Sequence, residues 1–163
     1  MKTQRRQRVR GDAPRWSVLL VEDEDIDRIT VARALESAPE TLRVDVTRTL
    51  AGARQALGEH AYDCALIDIG LPDGRGLALL AEHPSIAKIV LTGHDDAALA
   101  RAARRAGADG YLVKQGVGAP ALIAAIRDAV GRREGRALAQ PAGAQPSLAD
   151  LADTLHRELA RVG

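Results

Sequence analysis

Four short apolar runs, each closed by polar or charged residues, punctuate the first two-thirds of the chain. They are Trp16-Ser17-Val18-Leu19-Leu20-Val21 before Glu22-Asp23, Cys64-Ala65-Leu66-Ile67 before Asp68, Lys88-Ile89-Val90-Leu91 before Thr92, and Gly110-Tyr111-Leu112-Val113 before Lys114. Runs of this length, rich in Val, Ile and Leu, read as buried strands of a parallel sheet. Leu42-Arg43-Val44-Asp45-Val46 instead alternates apolar with polar, as a strand near an edge does.

Helix-period segments lie between the runs. Asp25 is expected to cap a helix carrying Ile26, Ile29, Val31, Ala34 and Leu35 and ending near Pro39. Thr49 caps a second through about His60, and a short helix after the loop Gly70-Leu71-Pro72-Asp73-Gly74 ends before Pro84. Asp95 or Asp96 opens another, closed by Gly107, and Pro120 sits in the first turn of a last one running to about Gly131. Strands alternating with helices through short loops imply right-handed crossovers and a parallel α/β sheet. In such a sheet the ligand crevice lies beyond the carboxyl ends of the strands. Three carboxylates, one hydroxyl and one ammonium therefore converge on one small site.

Carboxylates held close together repel, so they retain a proton or recruit a cation. An all-oxygen set suits a hard cation such as Mg²⁺, usually held by one or two carboxylates, waters and a phosphoryl oxygen. One carboxylate can then act as a nucleophile towards phosphorus, forming an acyl phosphate. Lys114 can meet a phosphoryl oxygen as a point charge, and Thr92 can donate a hydrogen bond to another.

The motifs LLVEDED, YDCALIDIGLPDGRGL, IVLTG and GADGYLVK, in this order between about Trp16 and Arg133, resemble the receiver domain of two-component response regulators. The resemblance implies a flavodoxin-like, doubly wound, five-stranded parallel sheet of order 2-1-3-4-5, here followed by an extra C-terminal helix. It implies that Asp68 is the phosphoacceptor, Asp23 a direct Mg²⁺ ligand, Glu22 an outer-shell or water-mediated one, and the Gly70 backbone carbonyl a further protein oxygen. Thr92 and Tyr111 match the two switch positions, and Lys114 matches the lysine that contacts the acyl phosphate. The phosphoryl donor would be a sensor histidine kinase or a phosphotransfer protein. Gly70 and His94 occupy positions that influence phosphate lifetime in this family. One departure stands out: the residue after the lysine is usually a cis proline, but here it is Gln115. A non-proline cis bond costs about 2.5 to 4 kcal/mol, so the Lys114–Gln115 peptide is expected to be trans.

Composition narrows the class. The 163 residues suit one α/β domain with short extensions, and 46% hydrophobic content supports a core. Phenylalanine is absent, so that core must be aliphatic and alanine-rich. A net charge of +1 gives no general bias towards nucleic acid, and the single cysteine, Cys64, excludes an internal disulfide framework. No stretch has the length of a membrane span and no signal core opens the chain, so a cytoplasmic protein is expected.

Rival chemistries fit less well. A dehalogenase-type phosphatase needs a second acid two residues after its nucleophile, where this chain has Gly70; the acyl phosphate is then a signal state with self-dephosphorylation only, not an enzymatic intermediate. A dinucleotide-binding domain needs a glycine-rich turn where Glu22-Asp23 stand. The roughly 30 residues after Arg133 hold one helix and not a complete helix-turn-helix unit, so direct nucleic-acid contact is not expected.

The organisation read from the sequence is a basic arm over 1–14, the receiver-like domain over 15–133, a Gly/Ala/Pro/Gln-rich linker over 134–146 and an amphipathic helix over 147–163. In that helix Leu148, Leu151, Leu155, Leu159 and Val162 share one face, suited to a homodimer contact, with His156 on the polar side. The expected function is a receiver without attached output domain that switches contacts with an unnamed downstream protein. The alternative is a phosphorelay intermediate or phosphate sink without conformational output.

Overall fold

The apolar runs become strands because helices cover them on both faces. In the computed structural model, which describes residues 14–139 and Arg157, the strands are β1 (Trp16–Val21), β2 (Leu42–Thr47), β3 (Cys64–Asp68), β4 (Ala87–Thr92) and β5 (Gly110–Val113). They form one sheet of order β2-β1-β3-β4-β5, parallel throughout. The helices are α1 (Asp25–Glu36), α2 (Leu50–Glu59), α3 (Ala97–Arg105) and α4 (Ala119–Ala139). The expected order and the edge position of β2 are both observed. The basic arm up to Ala13, the linker from Gln140 and the C-terminal amphipathic helix, Arg157 apart, lie outside the described residues.

Strand side chains alternate between two cores. Leu19, Val21, Ala65, Ile67 and Val90 meet α2, α3 and a 3₁₀ helix over Gly76–Ala81. Val18, Leu20, Leu66, Ile89 and Leu91 meet Val31 and Leu35 of α1 and Leu122, Ile123 and Ile126 of α4. Cys64 is fully buried in the second core, and burial pushes its thiol above the ordinary range, so it serves as a small apolar residue. No helix among the described residues is long and apolar enough to cross a membrane.

Two expected caps are present. Thr49 Oγ1 accepts from the Gly52 amide at 2.9 Å, and Asp96 Oδ1 accepts from the Ala98 and Leu99 amides at 2.9 and 3.1 Å. Gly107 follows α3 with a φ of 111°, the left-handed geometry a helix C-terminus uses. Asp25 is a correction: it lies inside α1, whose cap position is Glu24 with no side-chain cap bond, and it pairs with Arg28 and Arg48 instead. The short helix before Pro84 is 3₁₀, over Gly76–Ala81.

The last helix runs to Ala139 and not to Gly131, which places residues 134–139 of the expected linker in α4. A mid-helix glycine costs only about 1 kcal/mol relative to alanine. Arg133 and Arg136 offset that by reaching the buried carboxylate of Asp109 at 2.7 and 3.1 Å.

Candidate functional site

Parallel register brings the polar ends of β1, β3, β4 and β5 to one edge of the sheet. Val21 lies opposite Ile67 and Asp68 opposite Leu91, so Glu22-Asp23 and Asp68 leave the sheet side by side. Glu22, Asp23 and Asp68 each offer a carboxylate oxygen, and these oxygens lie within 4.8 Å of one another. Lys114 enters from β5, its amide donating to the Thr92 carbonyl at 2.7 Å so that the strand pairing continues one residue past β5. Its Nζ then lies 2.9 Å from Glu22 Oε2 and 3.2 Å from Asp68 Oδ1.

The electrostatics are those of a site short of positive charge. Burial pushes the carboxyls of both Glu22 and Asp68 above the ordinary carboxylate range, and nearby Lys114 only partly opposes this. Burial also works against the Lys114 ammonium, but its hydrogen bonds to Asp27 and Glu22 prevail and hold it above the usual lysine range. Asp23 Oδ1 is buried with no hydrogen-bond partner. An orphaned carboxylate oxygen facing two more carboxylates fits a hard divalent cation, for which oxygen ligands are preferred.

Of the residues expected in the site, Glu22, Asp23, Asp68 and Lys114 are brought together. Gly70 lies two residues beyond Asp68 in a two-residue antiparallel ladder, opposite Arg75. Thr92 is buried at the end of β4, but its hydroxyl donates to the His94 carbonyl at 3.1 Å. Tyr111 donates to the same carbonyl at 3.3 Å and lies 3.4 Å from the Asp96 carbonyl. The two expected switch residues therefore share one acceptor, on the loop that leads to the Asp96 cap of α3. The Lys114–Gln115 peptide is trans, as expected.

Three residues that support the site escaped the sequence reading. Asp27 is a closer partner of Lys114 than Asp68 is, at 2.7 Å. Asp73, in the loop after β3, accepts from the Leu50 and Ala51 amides at 2.8 and 3.0 Å and so ties that loop to the start of α2. Gly76 packs against the backbone that carries Asp68: a Cβ there would stand 1.9 Å from the Asp68 carbonyl oxygen. Asp27 closes the acidic stretch that begins at Glu22, the one signal in the sequence that could have flagged it.

The family model for the response regulator receiver domain matches residues 18–127. The chain belongs to the response regulator receiver family. Among curated relatives, the photosynthetic apparatus regulatory protein RegA of Rhodobacter capsulatus is 34% identical over 102 residues, covering 60% of this chain and 54% of the relative. The chain spans about half the length of the curated relatives it matches. A CheY-like receiver domain protein from Methanospirillum hungatei superposes with a TM-score of 0.63 at 26% identity, covering 74% of this chain and 97% of that one. A response regulator from Burkholderia pseudomallei, solved with a phosphorylated aspartic acid, calcium ion and citrate, gives 0.61 at 27% identity, covering 77% of this chain and 75% of that one.

Proposed function

We propose that this receiver accepts a phosphoryl group on Asp68 from a sensor histidine kinase or phosphotransfer protein and converts it into a change of protein contacts. The observation that carries the reading is Asp68 itself: a buried strand-end carboxylate, 3.2 Å from the Lys114 ammonium and next to an Asp23 oxygen that has no partner. Asp68 attacks phosphorus in line as the P–N bond to the donor histidine breaks and the imidazole leaves. Lys114 offsets charge on an equatorial oxygen, so catalysis is mainly positioning and electrostatics. Asp23, Asp68 and the Gly70 carbonyl, with Glu22 behind them, are the residues that would hold Mg²⁺. When bound, that ion would neutralise charge on the transferring group.

The acyl phosphate carries roughly −1.5 to −2 charge where the ionised carboxylate carried about −1, and places it closer to Thr92. Thr92 turns from the His94 carbonyl to the phosphoryl oxygen, leaving Tyr111 as the remaining side-chain donor to that carbonyl. The loop before α3 then settles into a second arrangement, a two-state element biased by one modification. This shared acceptor favours conformational output over a simple phosphate sink. The changed surface is proposed to act on a downstream protein, with residues 147–163 supplying a homodimer contact.

Intact-mass measurement with a small phosphodonor and Mg²⁺ tests the reading. A single Mg²⁺-dependent phosphoryl adduct is expected, lost in Asp68→Asn and reduced in Asp23→Ala. An undiminished adduct in Asp68→Asn would overturn it.

A further inference from the structure

The first turn of α1 points its two aspartates in different directions. Asp25 turns to Arg48 and Arg28, whereas Asp27, two residues on and so about 200° around the helix, meets Lys114. An ammonium has three N–H donors. Here three carboxylates surround it: Asp27 at 2.7 Å, Glu22 at 2.9 Å and Asp68 at 3.2 Å. No donor is left over for a phosphoryl oxygen.

One of the three partners must therefore yield when phosphate arrives, and the structure indicates which. Glu22 is completely buried, and its other oxygen is fixed by the Glu24 amide at 3.1 Å. Asp68 is the acceptor itself. Asp27 has a side chain 39% exposed on the outer edge of the cluster, free to turn to water.

We propose that Asp27 is a positioning residue that competes with the phosphoryl group for Lys114, restraining both the entry of phosphate and its persistence on Asp68. This rests on the reading of Asp68 as phosphoacceptor. Before phosphorylation, Asp27 draws the ammonium towards α1, so the longest of the three contacts is the one to the acceptor. Afterwards its displaced carboxylate remains close to the anionic phosphoryl group, and the like charges repel. The same competition that slows entry thus promotes return to the unphosphorylated state.

The test compares wild type, Asp27→Asn, Asp27→Ser and Asp27→Glu, using acetyl phosphate with Mg²⁺ as donor, and follows both the rate of adduct formation and its decay after donor removal. Asp27→Asn and Asp27→Ser are expected to form the adduct faster and lose it more slowly, each by roughly three- to tenfold, the size of one partly solvated charge contact. Asp27→Glu, which keeps the charge, should stay near wild type. A purely structural Asp27 predicts the opposite: slower formation in every variant as Lys114 loses its support. Unchanged or slower formation in both neutral variants overturns the inference. Asp68→Asn run alongside separates the two failures, because an adduct persisting there removes the acceptor reading, whereas its loss there with unaltered Asp27 kinetics removes only the competition.

Discussion

The two ends of β5 carry the same chemical ingredients in opposite proportion. At the C-terminal end, one ammonium faces Glu22, Asp27 and Asp68, Asp23 stands close by, one carboxylate oxygen has no partner, and two carboxyls are pushed up by burial. At the other end, the single buried carboxylate of Asp109 accepts from Arg133, Arg136 and the Lys88 amide, while its backbone carbonyl accepts from Arg132. Both Asp109 oxygens are occupied, the charge is more than balanced although Arg133 Nε is buried without a partner, and the cluster fastens α4 to the sheet. Excess negative charge with an orphaned oxygen distinguishes a site awaiting a ligand from a finished clasp.

Substitutions at the two ends should therefore diverge. The largest effect is expected from Asp109→Ala, which strands Arg133 beside an empty position and should cost about 3 kcal/mol in urea denaturation. Phosphorylation of the folded fraction should remain near wild type. A loss below about 1 kcal/mol would place Asp109 among ordinary surface pairs and dissolve the contrast. Gly76→Ala comes next, because its Cβ meets the backbone oxygen of Asp68, which cannot rotate away. A loss of about 1 to 3 kcal/mol with slower phosphorylation is expected. Gly52→Ala is its control: the Cβ there meets the rotatable Thr47 hydroxyl, and the effect should be smaller.

A change in the opposite direction is expected from Asp68→Asn. Asp68 and Glu22 bind protons more tightly folded than unfolded, so their contribution favours the folded state at low pH and is lost as pH rises through the raised values. Asp68→Asn should raise stability at neutral pH and flatten that decline. Mg²⁺ should stabilise the wild type as well, by about 2.7 kcal/mol at a hundred times its dissociation constant. An Asp68→Asn variant less stable than wild type at pH 7 would show that the cluster is structural after all. The smallest effect lies at the clasp end. Burial, with Arg133 adding repulsion, pushes Lys88 down to about 8. The unfolded chain then holds the extra proton between that value and the ordinary lysine range, so stability should climb with pH across this window. Lys88→Met should abolish the climb, which thermal unfolding at pH 7.5 and 9.5 would reveal.

The functional end was largely legible in the sequence because strands with a fixed register must deliver the residues that follow them to one edge. Glu22, Asp23, Asp68 and Lys114 needed only that rule. Asp27 was hidden among the acids of a helix start, where a dipole explanation suffices until the direction of each side chain is known. Asp109 was harder still, since Arg133 and Arg136 follow it at a distance no local periodicity links. Their pull on α4 also explains why Gly131, the expected end of the helix, does not end it. The Thr92 and Tyr111 positions were legible, but the His94 carbonyl they share depends on loop conformation that side-chain pattern does not encode.

The four residues of β5 separate Asp109 from Lys114, five steps or about 17 Å of extended chain between two anchors of opposite polarity. This span cannot be edited. Adding or deleting one residue would turn either the clasp or the ammonium to the wrong face. The turn just beyond, where Gly116 takes a φ of 72° and Gln115 is exposed, has no such obligation. A tag or reporter peptide grafted there should leave both anchors in register, whereas the same graft four residues earlier would uncouple them.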